Sequence, residues 1–226
     1  MFAIHSENNN LQIYIANFDQ ILLWAGILFF LATALTGSYL WSFSKNFYYN
    51  EVGANKNESL PKKFSILEIQ LPFRKTYFEK ILQNLSSKTN QIILKSLQAD
   101  YFFMPFAYGM LLFFLWYFLV KSNNWDLLGI KYLLNRTLNL IWYFPLVAYL
   151  LDVFENQFIK KLLIRMEVLK KEKAIGKEEK EEKEAAIKKS IGIFRFRILI
   201  VSCLKWLLVF VSTILIVTCL FVQLFF

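Results

Sequence analysis

The stretch FPLVAYLLDVFENQF, Phe144 to Phe158, begins as a membrane-spanning helix and ends as something else. Asp152 follows the apolar run IWYFPLVAYLL and precedes Val153 and Phe154, so it sits inside an apolar segment; Glu155 and Asn156 come one turn later. The spacing i, i+3, i+4 puts all three on one helix face. An ionised carboxylate costs on the order of 2.5 kcal/mol or more at the centre of a bilayer and less towards its surface. That face therefore turns away from lipid, and the segment must be one helix of a bundle.

The rest of the chain supplies the other helices. Of its 226 residues 57% are hydrophobic and 24 are Phe, above the roughly 45–50% apolar content of a soluble domain. Runs of about 18 or more apolar residues match the thickness of the hydrocarbon layer, and they are apolar on every face, unlike the alternating strands of a transmembrane barrel. Four spans are predicted, at 21–43, 101–120, 138–158 and 198–226. Trp24 and Trp41 stand near the ends of the first, where aromatic belts form. Pro105 lies near the start of the second, where a helix tolerates it. The expected fold class is an all-α polytopic membrane protein, a four-transmembrane-helix bundle.

Three polar segments join the spans. Residues 44–100 contain Tyr77, Phe78, Ile81, Leu82 and Leu85 at three- and four-residue spacing, an amphipathic helix lying on the membrane surface or against the bundle. Residues 121–137 form a short loop. Residues 159–197 are rich in Lys and Glu, with Glu179 and Lys183, and Glu184 and Lys188, four apart. This predicts a charged helical hairpin in water, turning at Gly176. The charge run reads first as a solvated face.

The net charge of +9 is concentrated between the spans. No Lys or Arg precedes the first span; nine lie in 44–100, three (Lys121, Lys131, Arg136) in 121–137 and thirteen in 159–197. Basic loops stay inside, so the two rich segments are expected in the cytoplasm and both termini outside, in the cell membrane. Residues 1–20 form an outward-facing tail without a basic signal region, so the first span is expected to remain in the mature protein. Nucleic acid is not an expected partner, because no aromatic-interleaved basic face is present. Membrane lipids, other membrane subunits or a second copy of the chain are.

This topology gathers polar residues at one depth. Asp100 precedes the second span, Asp152, Glu155 and Asn156 end the third, and Lys205 lies seven residues into the fourth, roughly 10 Å at helical rise. Lys205 is expected to face Asp152 or Glu155, the pairing that lowers the cost of burying either charge. Tyr101, Tyr108, Tyr149, Ser202 and Trp206 could add hydrogen bonds. Other readings stay open: Asp100 as a helix N-cap, Glu155 and Asn156 as marks of the bilayer surface, Lys205 as a snorkelling side chain.

Catalytic motifs are missing. The one histidine, His5, lies before the first span, so no His-based triad or zinc motif is available, and no phosphate-binding glycine loop occurs. Cys203 and Cys219, sixteen residues apart in one span, are about 24 Å apart on a helix and cannot pair. Asp100, Asp152 and Glu155 could take a hard cation, but Lys205 already supplies positive charge. No metal and no cofactor are expected. Gly26, Ala32, Ala34 and Gly37 offer a small-residue helix contact.

At ADYFFMPFAYGM (Ala99–Met110), LLDVFENQF (Leu150–Phe158) and CLKW (Cys203–Trp206) the chain resembles a loosely defined group of bacterial four-span membrane proteins of unassigned function. The resemblance implies that Asp100, Asp152, Glu155, Asn156 and Lys205 belong to one shared feature. It carries no activity, and the Lys/Glu hairpin and Asn-rich N-terminus do not match it. Three functions are thus expected in turn: a non-enzymatic assembly or accessory subunit; a transporter or lipid-handling protein using the cluster for proton, cation or head-group binding; and an enzyme acting on lipid head groups.

Overall fold

A computed structural model describes residues 3–52, 59–122, 130–175 and 180–225. In chain order these form α1 (Ala3–Ser44), β1 (Tyr48–Val52), β2 (Ser59–Lys63), α2 (Ile66–Gln70), α3 (Lys75–Asn84), α4 (Ser87–Ser122), α5 (Ile130–Ile141), α6 (Phe144–Ile175) and α7 (Lys180–Phe225). The fold class is all-α, a four-helix membrane protein. Four stretches are long and apolar enough to cross a membrane: Phe18–Ser44, Ser87–Ser122, Tyr132–Lys170 and Lys188–Phe225.

The helices are longer than the apolar runs. α1 is helical from Ala3, through the stretch expected as a tail. α4 starts at Ser87, where the Ser86 hydroxyl accepts from the Thr89 amide at 3.1 Å, an N-cap bond at the third helical residue. It continues through Pro105, which has no N–H to give the Tyr101 carbonyl. The third apolar stretch, expected to run unbroken from Leu138 to Phe158, is interrupted. α5 stops at Ile141, Trp142 and Tyr143 turn, and α6 restarts at Phe144, with Pro145 in the first turn, where its missing donor costs nothing.

The chain divides into two compact units, Met1–Leu35 with Met104–Tyr149 and Trp206–Phe226, and Thr36–Phe103 with Leu150–Lys205. The first has a core of Leu22, Leu111, Leu115, Phe118, Leu138, Ile141, Leu215 and Cys219. Its α1 and α4 approach closely. The Phe29 ring packs edge-on against Phe106 and Phe113, with centroids 5.7 and 5.0 Å away, and lies over Gly109, where an added Cβ would stand 2.4 Å from the ring. Gly26 meets Phe114 in the same way. In the second unit Gly37 meets Phe103, so both glycines of the small-residue stretch are covered by the chain's own rings.

The second unit is built on segments the spacing analysis read less well. Phe47 and Tyr49 point inward at alternate positions of β1's edge and pack with Phe64. β1 pairs antiparallel with β2, Tyr48 opposite Lys63; the amphipathic helix is expected only in the second half of 44–100, and these strands lie in the first. α3 buries Phe78, Ile81 and Leu82, three of the five residues its periodicity named, each contributing about 1.5–3 kcal/mol of burial. The surface it packs on includes Ile159, Leu162, Leu163 and Met166 of α6 and Ile191 and Ile198 of α7. Part of the segment expected as a solvated hairpin is packed: Ile159, Leu162, Leu163 and Met166 form an i, i+3, i+4, i+7 apolar stripe that belongs to the core, with Lys160, Lys161 and Arg165 exposed between them. Lys170 Nζ then donates to the Leu82 and Leu85 carbonyls at 2.9 and 2.8 Å, satisfying acceptors at the end of α3. Gly176 and Glu179, and the side chains of Lys183 and Glu184, lie outside the described residues.

Candidate functional site

The second unit also brings the expected polar residues together. α6 presents Asp152, Glu155 and Asn156 on one face, α7 supplies Ser202 and Lys205 at one-turn spacing, α4 supplies Asp100, and the end of α2 supplies a carbonyl at Gln70. Lys205 is 3% exposed. Its ammonium lies 2.9 Å from Asp152 Oδ1 and 2.8 Å from Glu155 Oε2, so it faces both carboxylates and does not snorkel.

Ser202 Oγ is 2.7 Å from the same Glu155 oxygen and 2.5 Å from the Gln70 carbonyl. One hydroxyl hydrogen serves the two acceptors and ties α2 to α7. Asn156 Nδ2 donates to Asp100 Oδ2 at 2.7 Å. Asp100 stands thirteen residues after the start of α4 at Ser87, and the N-cap reading falls with that. Glu155 and Asn156 are fully buried, on a helix that runs on to Ile175.

Two acceptors in the array have no hydrogen-bond partner, Glu155 Oε1 and Asn156 Oδ1. Buried polar atoms are ordinarily paired. Asp152 and Glu155 share one ammonium, which occupies the place between them where a cation would otherwise sit. Among the described residues no group of three or more His, Cys, Asp or Glu is arranged to hold a metal ion.

Of the supporting residues, Ser202 joins the array. Tyr101 follows Asp100 and is half-buried. Tyr108 and Tyr149 belong to the first unit, where their rings meet edge to face with centroids 6.0 Å apart; Trp206, also there, is 43% exposed. Three features escaped the sequence reading. The Gln70 carbonyl is backbone and leaves no side-chain signal. The Asn90 amide donates to Glu167 at 3.0 Å, beside Lys170 in a charge run that looked solvated. Asp19 and Lys121 pair at 2.7 Å; here a signal existed, since each flanks a span at the same end.

The chain matches no family model, and no curated protein or solved structure resembles it at a significant level.

Proposed function

We propose that this protein is a non-enzymatic integral membrane component, an assembly or accessory subunit of the cell membrane, in which the buried Asp/Glu/Asn/Lys array fixes the register of helices. One observation carries the reading: the Lys205 ammonium is buried between two carboxylates of a neighbouring helix and paired with both. A sliding or rotation of α7 against α6 would leave three buried charges unpaired, so the array penalises every register but one. Partners are other membrane subunits or a second copy of the chain, meeting lipid-exposed aromatic surfaces. The distribution of Lys and Arg supports both termini outside and the array near the cytoplasmic face. The resemblance to bacterial four-span proteins supports treating the five residues as one feature.

The test is purification in mild detergent of wild type and of Asp152→Asn with Lys205→Met, compared by native mass spectrometry. The subunit reading expects the wild type to retain a protein partner or self-association that the variant loses. A variant that keeps its assembly but loses a defined bound lipid or small molecule overturns it.

A second reading, transport or lipid handling by proton, cation or head-group binding, has its own observation in the unpaired Glu155 Oε1 and Asn156 Oδ1. Intramembrane ionisable groups are common places for such chemistry. A bound ligand retained by wild type and released by Glu155→Gln would favour it.

A further inference from the structure

The corner between α2 and α3 is held where the apolar part of α7 begins. Arg195 donates through Nε to the Pro72 carbonyl at 2.8 Å and through a terminal nitrogen to the Phe73 carbonyl at 2.6 Å. Ser202 reaches the Gln70 carbonyl two turns further along α7. Residues 70–73 are therefore strapped to α7 between Arg195 and Ser202, across the point where an Arg-flanked segment gives way to the uncharged run Ile198–Leu204. Such a transition is where a bilayer surface is expected. At this level the chain exposes large apolar side chains: Phe73 is 62% and Phe196 63% exposed, with Arg74, Lys75 and Arg197 also exposed.

Beside the corner is an open cleft of about 430 Å³, lined by Glu68, Leu71, Pro72, Phe73, Arg74 and Tyr77. It holds one anion and one cation together with a phenol. Burial and then the Glu68 carboxylate, with which it hydrogen-bonds, hold the Tyr77 phenol above its ordinary value. Arg74 is exposed at the N-cap position of α3, where the planar fork of its guanidinium suits an oxyanion. A phosphate beside an ammonium, attached to acyl chains, matches this set: phosphate on Arg74, ammonium on Glu68, chains along Phe73.

We infer that the α2–α3 corner is a binding site for the zwitterionic head group of an aminophospholipid in the leaflet this unit meets. Neither residue tested below belongs to the buried array, whose Ser202 fastens the corner through the Gln70 carbonyl.

The experiment uses full-length protein in nanodiscs of equimolar phosphatidylethanolamine and phosphatidylglycerol, with the retained lipid read by native mass spectrometry. Wild type is expected to retain the ethanolamine lipid over the glycerol lipid by about tenfold, the effect of one charge-assisted hydrogen bond. Arg74→Gln loses both lipids. Glu68→Gln loses the preference but keeps a bound phosphate lipid. Its fold is protected, because Glu68 caps the Ser65 amide in a capping box and Gln serves that box equally. Millimolar glycerophosphoethanolamine, which lacks acyl chains, should not displace the lipid. Retention equal to the bulk composition, an unaltered ratio in Arg74→Gln, or displacement by the soluble head group would each overturn the assignment.

Discussion

The two units of this protein are held by different physics. In the second, Asp152, Glu155 and Lys205 are all under 10% exposed and bonded within 3 Å. In the first, helices meet through shape, a Phe29 ring over Gly109, and the ion pair Lys121–Asp19 leaves the Lys side chain 35% exposed. Shape can relax by degrees when a neighbour changes. A buried charge has no intermediate option, because a removed partner leaves the whole charge desolvated. The comparison therefore forecasts a hierarchy of losses, readable by thermal or denaturant unfolding in detergent.

Lys205→Met should fall furthest, by about 3–5 kcal/mol, since it strands two carboxylates. Adding Asp152→Asn should return part of the loss, so the pair is non-additive. A single variant as stable as wild type would break the contrast between the units. Gly109→Ala comes next, at about 1–3 kcal/mol of overpacking; Phe29→Leu, which clears the ring, should rescue it, and no rescue would mean that shape is not what joins α1 to α4. Ser202→Ala should cost about 1 kcal/mol, because Glu155 keeps Lys205 while the Gln70 carbonyl loses its donor. The smallest effect belongs to Lys121→Gln, within about 1 kcal/mol, and raising the salt concentration should mimic it in wild type. A Lys121 loss as large as that of Lys205 would show that exposure is not the deciding variable.

The sequence made the array legible because periodicity and depth are both one-dimensional. Asp152, Glu155 and Asn156 share a face by spacing alone, and Lys205 lies at their depth by counting from the end of a span. What it hid was hidden for physical reasons. Residues 159–166 carry a full apolar stripe, but Lys160, Lys161 and Arg165 between its members raised the local charge and drew the reading towards water. Two strands of five residues each, one containing Pro61, are too short for alternation to stand out, and only Phe47 and Tyr49 betray it. The break at Trp142–Tyr143 falls in an apolar run where hydropathy sees no change; Pro145 was the available sign. Asp100 was ambiguous because the apolar run starts beside it, whereas the helix had started thirteen residues earlier, at Ser87.

The placement of Lys205 has a consequence for the order in which the protein is made. A ribosome delivers Asp100, then Asp152 and Glu155, and only 50 residues after Glu155 the ammonium that neutralises them. The strap from Arg195 to Pro72 spans 123 positions and the bond from Ser202 to Gln70 spans 132, so these closures also wait for the last helix. Until α7 enters the bilayer, the nascent chain carries unneutralised acids and an unfastened corner. A polypeptide interrupted before Lys205 would keep that defect, with the Asp152 and Glu155 carboxylates left without their cation.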